Sequence, residues 1–137
     1  MTLRPETRVR ARALQILYAW ELNHGASLPE AATGVARLTR APRELEAAEA
    51  LAQAILDDLP AIDAQAQAAA DNWRLNRIAA IERNILRLGI HELKAKTAPP
   101  KVAIDEALWL AHRFAGPRAA PFINGVLDRV AHDLGVL

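Results

Sequence analysis

The chain has 137 residues, of which 52% are hydrophobic, and this suits one domain over residues 1–137 with a core of its own. It contains no cysteine, which excludes disulfides, thiolate metal sites and cysteine nucleophiles and agrees with a reducing, cytoplasmic compartment. The net charge is +1, no apolar run is long enough to span a bilayer, and the N-terminus lacks the apolar region of a signal peptide, so we expect a cytoplasmic protein with no membrane association.

Apolar residues recur at helical spacing along nearly the whole chain, which predicts an all-α fold of about seven helices. The first helix is predicted over about 5–23, because Pro5 suits a first helical turn and Gly25 suits a C-terminal cap. Its core-facing stripe is predicted to consist of Val9, Ala13, Ile16, Leu17 and Trp20.

Six further helices are predicted, over about 29–40, 43–59, 60–72, 77–96, 101–114 and 120–134. The helix over 77–96 has the strongest apolar pattern, so we expect it to be the central helix. It ends before Pro99 and Pro100, because no helix continues through two consecutive prolines.

Charge is segregated by segment. Residues 1–12 contain four arginines against one acid, residues 43–71 contain seven acids against one arginine, and residues 74–101 contain seven bases against two acids. A nearly neutral molecule with basic and acidic faces can bind nucleic acid on one side and a basic protein on another.

The first helix carries a predicted cationic face. Arg4, Arg8 and Arg12 are spaced by four residues and share one side, with Gln15 on the same side and Tyr18 at its edge. Like charges at this spacing repel one another, so these arginines do not serve the helix itself. The pattern favours a phosphate-binding face, with Gln15 and Tyr18 able to hydrogen-bond to or stack on bases. The alternative is a solvated basic helix.

The sequence offers little material for catalysis. The histidines His24, His91, His112 and His132 are not paired at metal-binding spacing, and Ala95 stands where a zinc-protease motif beginning at His91 needs its second histidine. Serine occurs once, at Ser27, and there is no glycine-rich phosphate loop. We therefore expect a protein that is not an enzyme, with no catalytic residues, no metal and no cofactor.

Two further segments leave alternatives open. Trp109 lies off the centre of the inner face of the sixth helix, so we expect it to be half-exposed, either as a partner contact or as a boundary residue that covers the edge of the core. At the start of the last helix, Asn124 and Gly125 are poor helix formers. They have either a structural role, such as close backbone approach at Gly125, or a role in RNA contact.

Five segments in this order resemble the NusB family, and the resemblance covers essentially the whole chain. They are residues 8–20 (RVRARALQILYAW), 72–78 (NWRLNRI), 85–93 (ILRLGIHEL), 99–107 (PPKVAIDEA) and 122–127 (FINGVL). The sequence departs from the usual family pattern at three positions. His91 replaces a tyrosine, Asp105 an asparagine and Trp109 a glutamate.

The resemblance implies an all-α fold of two packed helical bundles. It also implies binding to boxA RNA of ribosomal RNA leader transcripts as a heterodimer with NusE, a small-subunit ribosomal protein, within the RNA polymerase antitermination complex. The RNA contacts that it implies are Arg8, Arg10, Arg12, Gln15, Tyr18, Phe122 and Asn124. To these we add Arg4 from the cationic face and Arg118 from the loop before the last helix. We expect Trp109 to lie at the NusE surface.

Two other interpretations stay open. NusB-like domains also occur at the N-terminus of ribosomal RNA cytosine methyltransferases, so the chain is alternatively the RNA-targeting part of such an enzyme. It is otherwise a helical interaction module that forms a homodimer through Trp109 or the alanine-rich helix.

Overall fold

The computed structural model describes residues 3–137, and in that range it has the predicted all-α fold with seven α-helices. They are α1 (Pro5–Leu22), α2 (Leu28–Val35), α3 (Pro42–Asp57), α4 (Leu59–Ala69), α5 (Ala80–Ala95), α6 (Pro100–Leu110) and α7 (Ala119–Asp133). Short 3-10 turns follow α2 at Ala36–Leu38 and precede α5 at Leu75–Arg77, and a π-helical turn at Ala111–Ala115 continues α6. The chain divides into two compact helical units, Met1–Asp57 and Asp58–Leu137.

In the first unit α1 packs against α2 and α3, and α2 also contacts α3. Leu14 and Leu17 of α1 and Ile55 of α3 are fully buried. The predicted stripe on α1 is partly wrong, because Val9 and Trp20 are only part-buried. The buried face is rotated towards Thr7, Arg10 and Leu14, which recur at three- and four-residue spacing.

In the second unit α5 contacts α4, α6 and α7, which confirms the prediction that it is the central helix. All residues of the run 84–90 are buried. The run includes Arg87, whose Nε and Nη2 donate to Asp63 of α4 at 2.8 and 3.0 Å, while its Nη1 donates to Asn84 Oδ1 at 3.0 Å. A buried arginine is tolerated here because its donors meet a carboxylate and an amide oxygen.

The contact between α5 and α7 is close at Gly89. A Cβ added to this glycine would lie 2.8 and 2.9 Å from the two terminal carbons of Leu127, which is fully buried. Glycine therefore allows the two helices to approach at this point. Among residues 3–137, no helix is both long enough and apolar enough to cross a membrane.

Candidate nucleic-acid interface

The cationic face predicted on α1 is present on the first unit, but its arginines differ in environment. Arg4 is the exposed N-cap residue of the helix, Arg8 and Arg12 are part-buried, and Gln15 and Tyr18 are also part-buried. Nη1 of Arg12 donates to Gln15 Oε1 at 2.7 Å, so these two side chains are held together on the same side of the helix.

Arg8 is bound to a carboxylate of α3. Its Nη2 donates to Glu44 Oε1 at 2.6 Å, its Nε lies 2.9 and 3.1 Å from the two Glu44 oxygens, and its Nη1 donates to the carbonyl oxygen of Leu3. These hydrogen bonds raise the pKa of Arg8 and hold the pKa of Glu44 below its ordinary value. The side chains of Arg8 and Glu44 are 33% and 16% exposed. Arg8 is therefore neutralised by an acid from another helix, which the charge pattern of α1 alone does not indicate.

Arg10 does not belong to the cationic face. It is 9% exposed and lies on the buried side of α1, and its contact with RNA stays a prediction. The physical reason is helical periodicity, since Arg10 lies four residues before Leu14 and seven before Leu17, both of which are fully buried.

The second unit holds the other predicted contacts, at the start of α7. Arg118 is its exposed N-cap residue, Phe122 is part-buried and Asn124 is exposed. A Cβ added to Gly125 would meet nothing within 4 Å, so no close packing among residues 3–137 requires the glycine. The alternative of close backbone approach at Gly125 receives no support from the described residues.

Trp73 is a candidate site residue that the sequence did not identify as one. It is 62% exposed, the largest fraction among the exposed large hydrophobic residues of the part described, 3–137. Its ring meets that of Phe122 edge to face, with centroids 6.1 Å apart and planes at 73°. A tryptophan in a polar connector, between Asn72 and Arg74, was the signal in the sequence that could have identified it.

Trp109, the predicted partner contact, is part-buried on α6 as expected, and His112 and Arg113 next to it are exposed. Among the described residues, no group of three or more histidine, aspartate or glutamate side chains is placed to hold a metal ion. The chemistry available at the α1 face and at the start of α7 is therefore that of guanidinium, amide and aromatic groups, which bind phosphates and bases.

These features define a small all-helical protein with a cationic first helix and an exposed tryptophan that contacts a part-buried phenylalanine. The NusB family model matches residues 7–132. The transcription antitermination protein NusB of Sorangium cellulosum is 41% identical over 128 residues, covering 92% of this chain and 91% of that protein. The chain therefore belongs to the NusB family.

Solved structures agree with this assignment. NusB of T. maritima has a TM-score of 0.85 and 29% identity, covering 97% of this chain and 94% of the other. A crystal structure of antitermination factors NusB and NusE in complex with dsRNA contains a chain with a TM-score of 0.84 and 26% identity. That likeness covers 96% of this chain and 99% of the other.

Proposed function

We propose that this protein is a transcription antitermination factor that binds boxA RNA of ribosomal RNA leader transcripts together with NusE. Its likeness to the solved complex of NusB, NusE and dsRNA carries the proposal. In this role it is a cytoplasmic adaptor of the RNA polymerase antitermination complex and not an enzyme. The scarcity of catalytic side chains supports the second point, since the chain has one serine and no cysteine.

The cationic face of α1, called the α1 face, supplies the first RNA contacts. Arg4 and Arg12 attract phosphates, and the Gln15 amide and the Tyr18 ring reach bases. Affinity then comes largely from counterion release and falls as salt rises. Arg8 contributes less than its position in the sequence suggests, because Glu44 already neutralises it. Arg118, Phe122 and Asn124 provide contacts on the second unit.

NusE adds a second set of contacts to the same RNA. Two linked binding sites on one strand raise the overall affinity above that of either site alone. Part-buried Trp109 is the proposed anchor for NusE, because partly exposed tryptophans are frequent anchors at protein interfaces.

Replacing Arg12 with alanine tests the assignment of the α1 face. We expect weaker binding of fluorescently labelled boxA RNA in a polarisation titration, with and without NusE. The slope of log K against log salt should also become shallower by roughly 0.7, the value for one lost contact to a single strand. Arg12 is preferred to Arg8, whose removal would also leave Glu44 without its cation.

Arg37→Ala is the matched control, because Arg37 is an exposed arginine of the same unit outside α1. If Arg12→Ala binds boxA RNA as tightly as the wild type, α1 is not the RNA-binding element. If the wild type binds no boxA RNA even with NusE, the function itself is wrong. Light scattering of the chain with and without RNA separates the proposal from a homodimeric interaction module.

A further inference from the structure

We propose that Trp73 is a base-stacking residue, and that Trp73 and Phe122 together form a second contact for single-stranded RNA on the unit Asp58–Leu137. We call this pair the aromatic corner. The inference rests on the proposed RNA-binding function and adds a residue to it that the arginine pattern of α1 does not indicate.

The position of Trp73 is not explained by the core of the protein. Its side chain is 62% exposed, although burial of a tryptophan is among the largest hydrophobic contributions available to a fold. The edge-to-face contact with Phe122, at 6.1 Å between centroids, leaves ring surface of Trp73 open to solvent. An exposed aromatic face of this kind is suited to stacking on a nucleobase.

Two cavities with space for a base border the aromatic corner. One cavity, of about 410 Å³, is bordered by Trp73 and Phe122 together with Asn72, Gly125 and Arg129. The other, of about 260 Å³, is bordered by the same two rings together with Arg77 and Ile78. An added Cβ at Gly125 would meet nothing within 4 Å, so this side of the first cavity is open.

The backbone around Trp73 is held in place. Nε2 of Gln67 donates to the carbonyl oxygen of Trp73 at 2.6 Å, and the N–H of Leu75 donates to Oε1 of the same Gln67 side chain at 2.8 Å. Nη1 of Arg83 donates to the carbonyl oxygen of Ile78 at 2.5 Å. The connector is therefore ordered before any ligand binds, which lowers the entropic cost of binding.

The surrounding chemistry favours RNA over an apolar protein segment. Residues 72–79 include two arginines and two asparagines, all four exposed, and the acids that border the two cavities, Asp71 and Glu82, are accompanied there by Arg129 and Arg77. Guanidinium groups attract phosphates, and asparagine amides hydrogen-bond to base edges. Proteins that bind single-stranded nucleic acid combine aromatic rings, on which bases stack, with cationic side chains that hold the phosphates. The exposed ring of Trp73 and these neighbouring groups offer the same combination.

The test compares Trp73→Leu with Trp73→Phe in boxA RNA titrations without NusE. Leucine keeps an apolar side chain and removes the aromatic face, so we expect a loss of affinity on the order of tenfold, whereas phenylalanine should restore most of it. The salt slope should stay unchanged, because no charge is removed. Phe114→Leu, which removes a part-buried aromatic ring of the same unit outside the aromatic corner, is the matched control and should bind RNA like the wild type.

Fluorescence gives a second readout. RNA should quench the tryptophan emission of the wild type, and Trp73→Leu should lose most of that quenching. If the wild type binds boxA RNA and Trp73→Leu binds it with the same affinity, the proposal for the aromatic corner is wrong and the proposed function stands. Weaker NusE binding with unchanged RNA binding also overturns it, because the corner would then be a protein contact. Failure of the wild type to bind RNA contradicts the proposed function instead.

Discussion

A guanidinium group can neutralise a carboxylate or a phosphate, but the same two donors cannot serve both at once. Nε and Nη2 of Arg8 both face Glu44, which places the arginine in a fork-like pair of the kind that also binds phosphates. RNA phosphates at this position must therefore compete with Glu44. The carboxylate stays charged at neutral pH, since Arg8 holds its pKa below the ordinary value.

Glu44→Gln tests this competition. The substitution keeps the shape of the side chain and removes its negative charge, so we expect tighter boxA binding. The log K against log salt slope should become steeper by roughly 0.7, because Arg8 gains a phosphate contact. Polarisation titrations at several salt concentrations measure both quantities.

Glu46→Gln is the control for this experiment, because Glu46 is an exposed acid two residues further along α3. Helical geometry turns it to a different side of α3 from Glu44. Equal affinity of Glu44→Gln and wild type would mean that RNA does not contact Arg8.

At the scale of the helices, the sequence was sufficient for the number and order of the elements. Apolar periodicity with proline and glycine breaks predicted all seven helices, and the apolar pattern of α5 predicted its central position. The rotation of α1 was harder to predict, because a polar residue, Arg10, lies on the buried face. Contacts between distant residues, such as Arg8 with Glu44, were not predictable, since periodicity describes one helix at a time.

The same limit applies to the close contact between α5 and α7. Gly89→Ala should lower the free energy of unfolding, because the new methyl group lies within 3 Å of two Leu127 carbons. Overpacking a core typically costs about 1–3 kcal/mol, while replacing glycine with alanine inside a helix gains about 1 kcal/mol. The net loss should therefore be about 1 kcal/mol, measured by urea denaturation.

Two further variants isolate the cause of this loss. Leu127→Val lacks both terminal carbons, and in that background Gly89→Ala should cost nothing or stabilise the protein. Gly125→Ala on α7, where an added Cβ meets open space, should stabilise the protein by about 1 kcal/mol. A destabilised Gly125→Ala variant would show that the space around the glycine does not decide the outcome.

At the scale of the whole molecule, a net charge of +1 makes long-range attraction to RNA weak. Binding then depends on where the charges and rings are concentrated. The α1 face lies on the first unit and the aromatic corner on the second, so each unit presents its own contact.

The stability of the molecule should depend on pH through His91, which is part-buried on the central helix α5. Burial lowers its pKa below the ordinary 6.5, although the charges of Glu92 and Asp58 act in the opposite direction and Lys94 adds to the lowering. Unfolded chains therefore take up this proton at a higher pH than folded ones. As the pH falls through 6.5 the free energy of unfolding decreases, and it continues to decrease until the pH lies below the folded-state pKa.

His91→Tyr should remove this contribution, because tyrosine stays neutral throughout this pH range. We expect the melting temperature of the wild type to fall more between pH 7.5 and pH 5.5 than that of His91→Tyr. His24→Gln, which removes an exposed histidine, should keep the wild-type dependence. If the melting temperatures of wild type and His91→Tyr fell equally with pH, His91 would bind its proton equally well in the folded and unfolded chains. Burial of His91 on α5 would then carry no electrostatic cost.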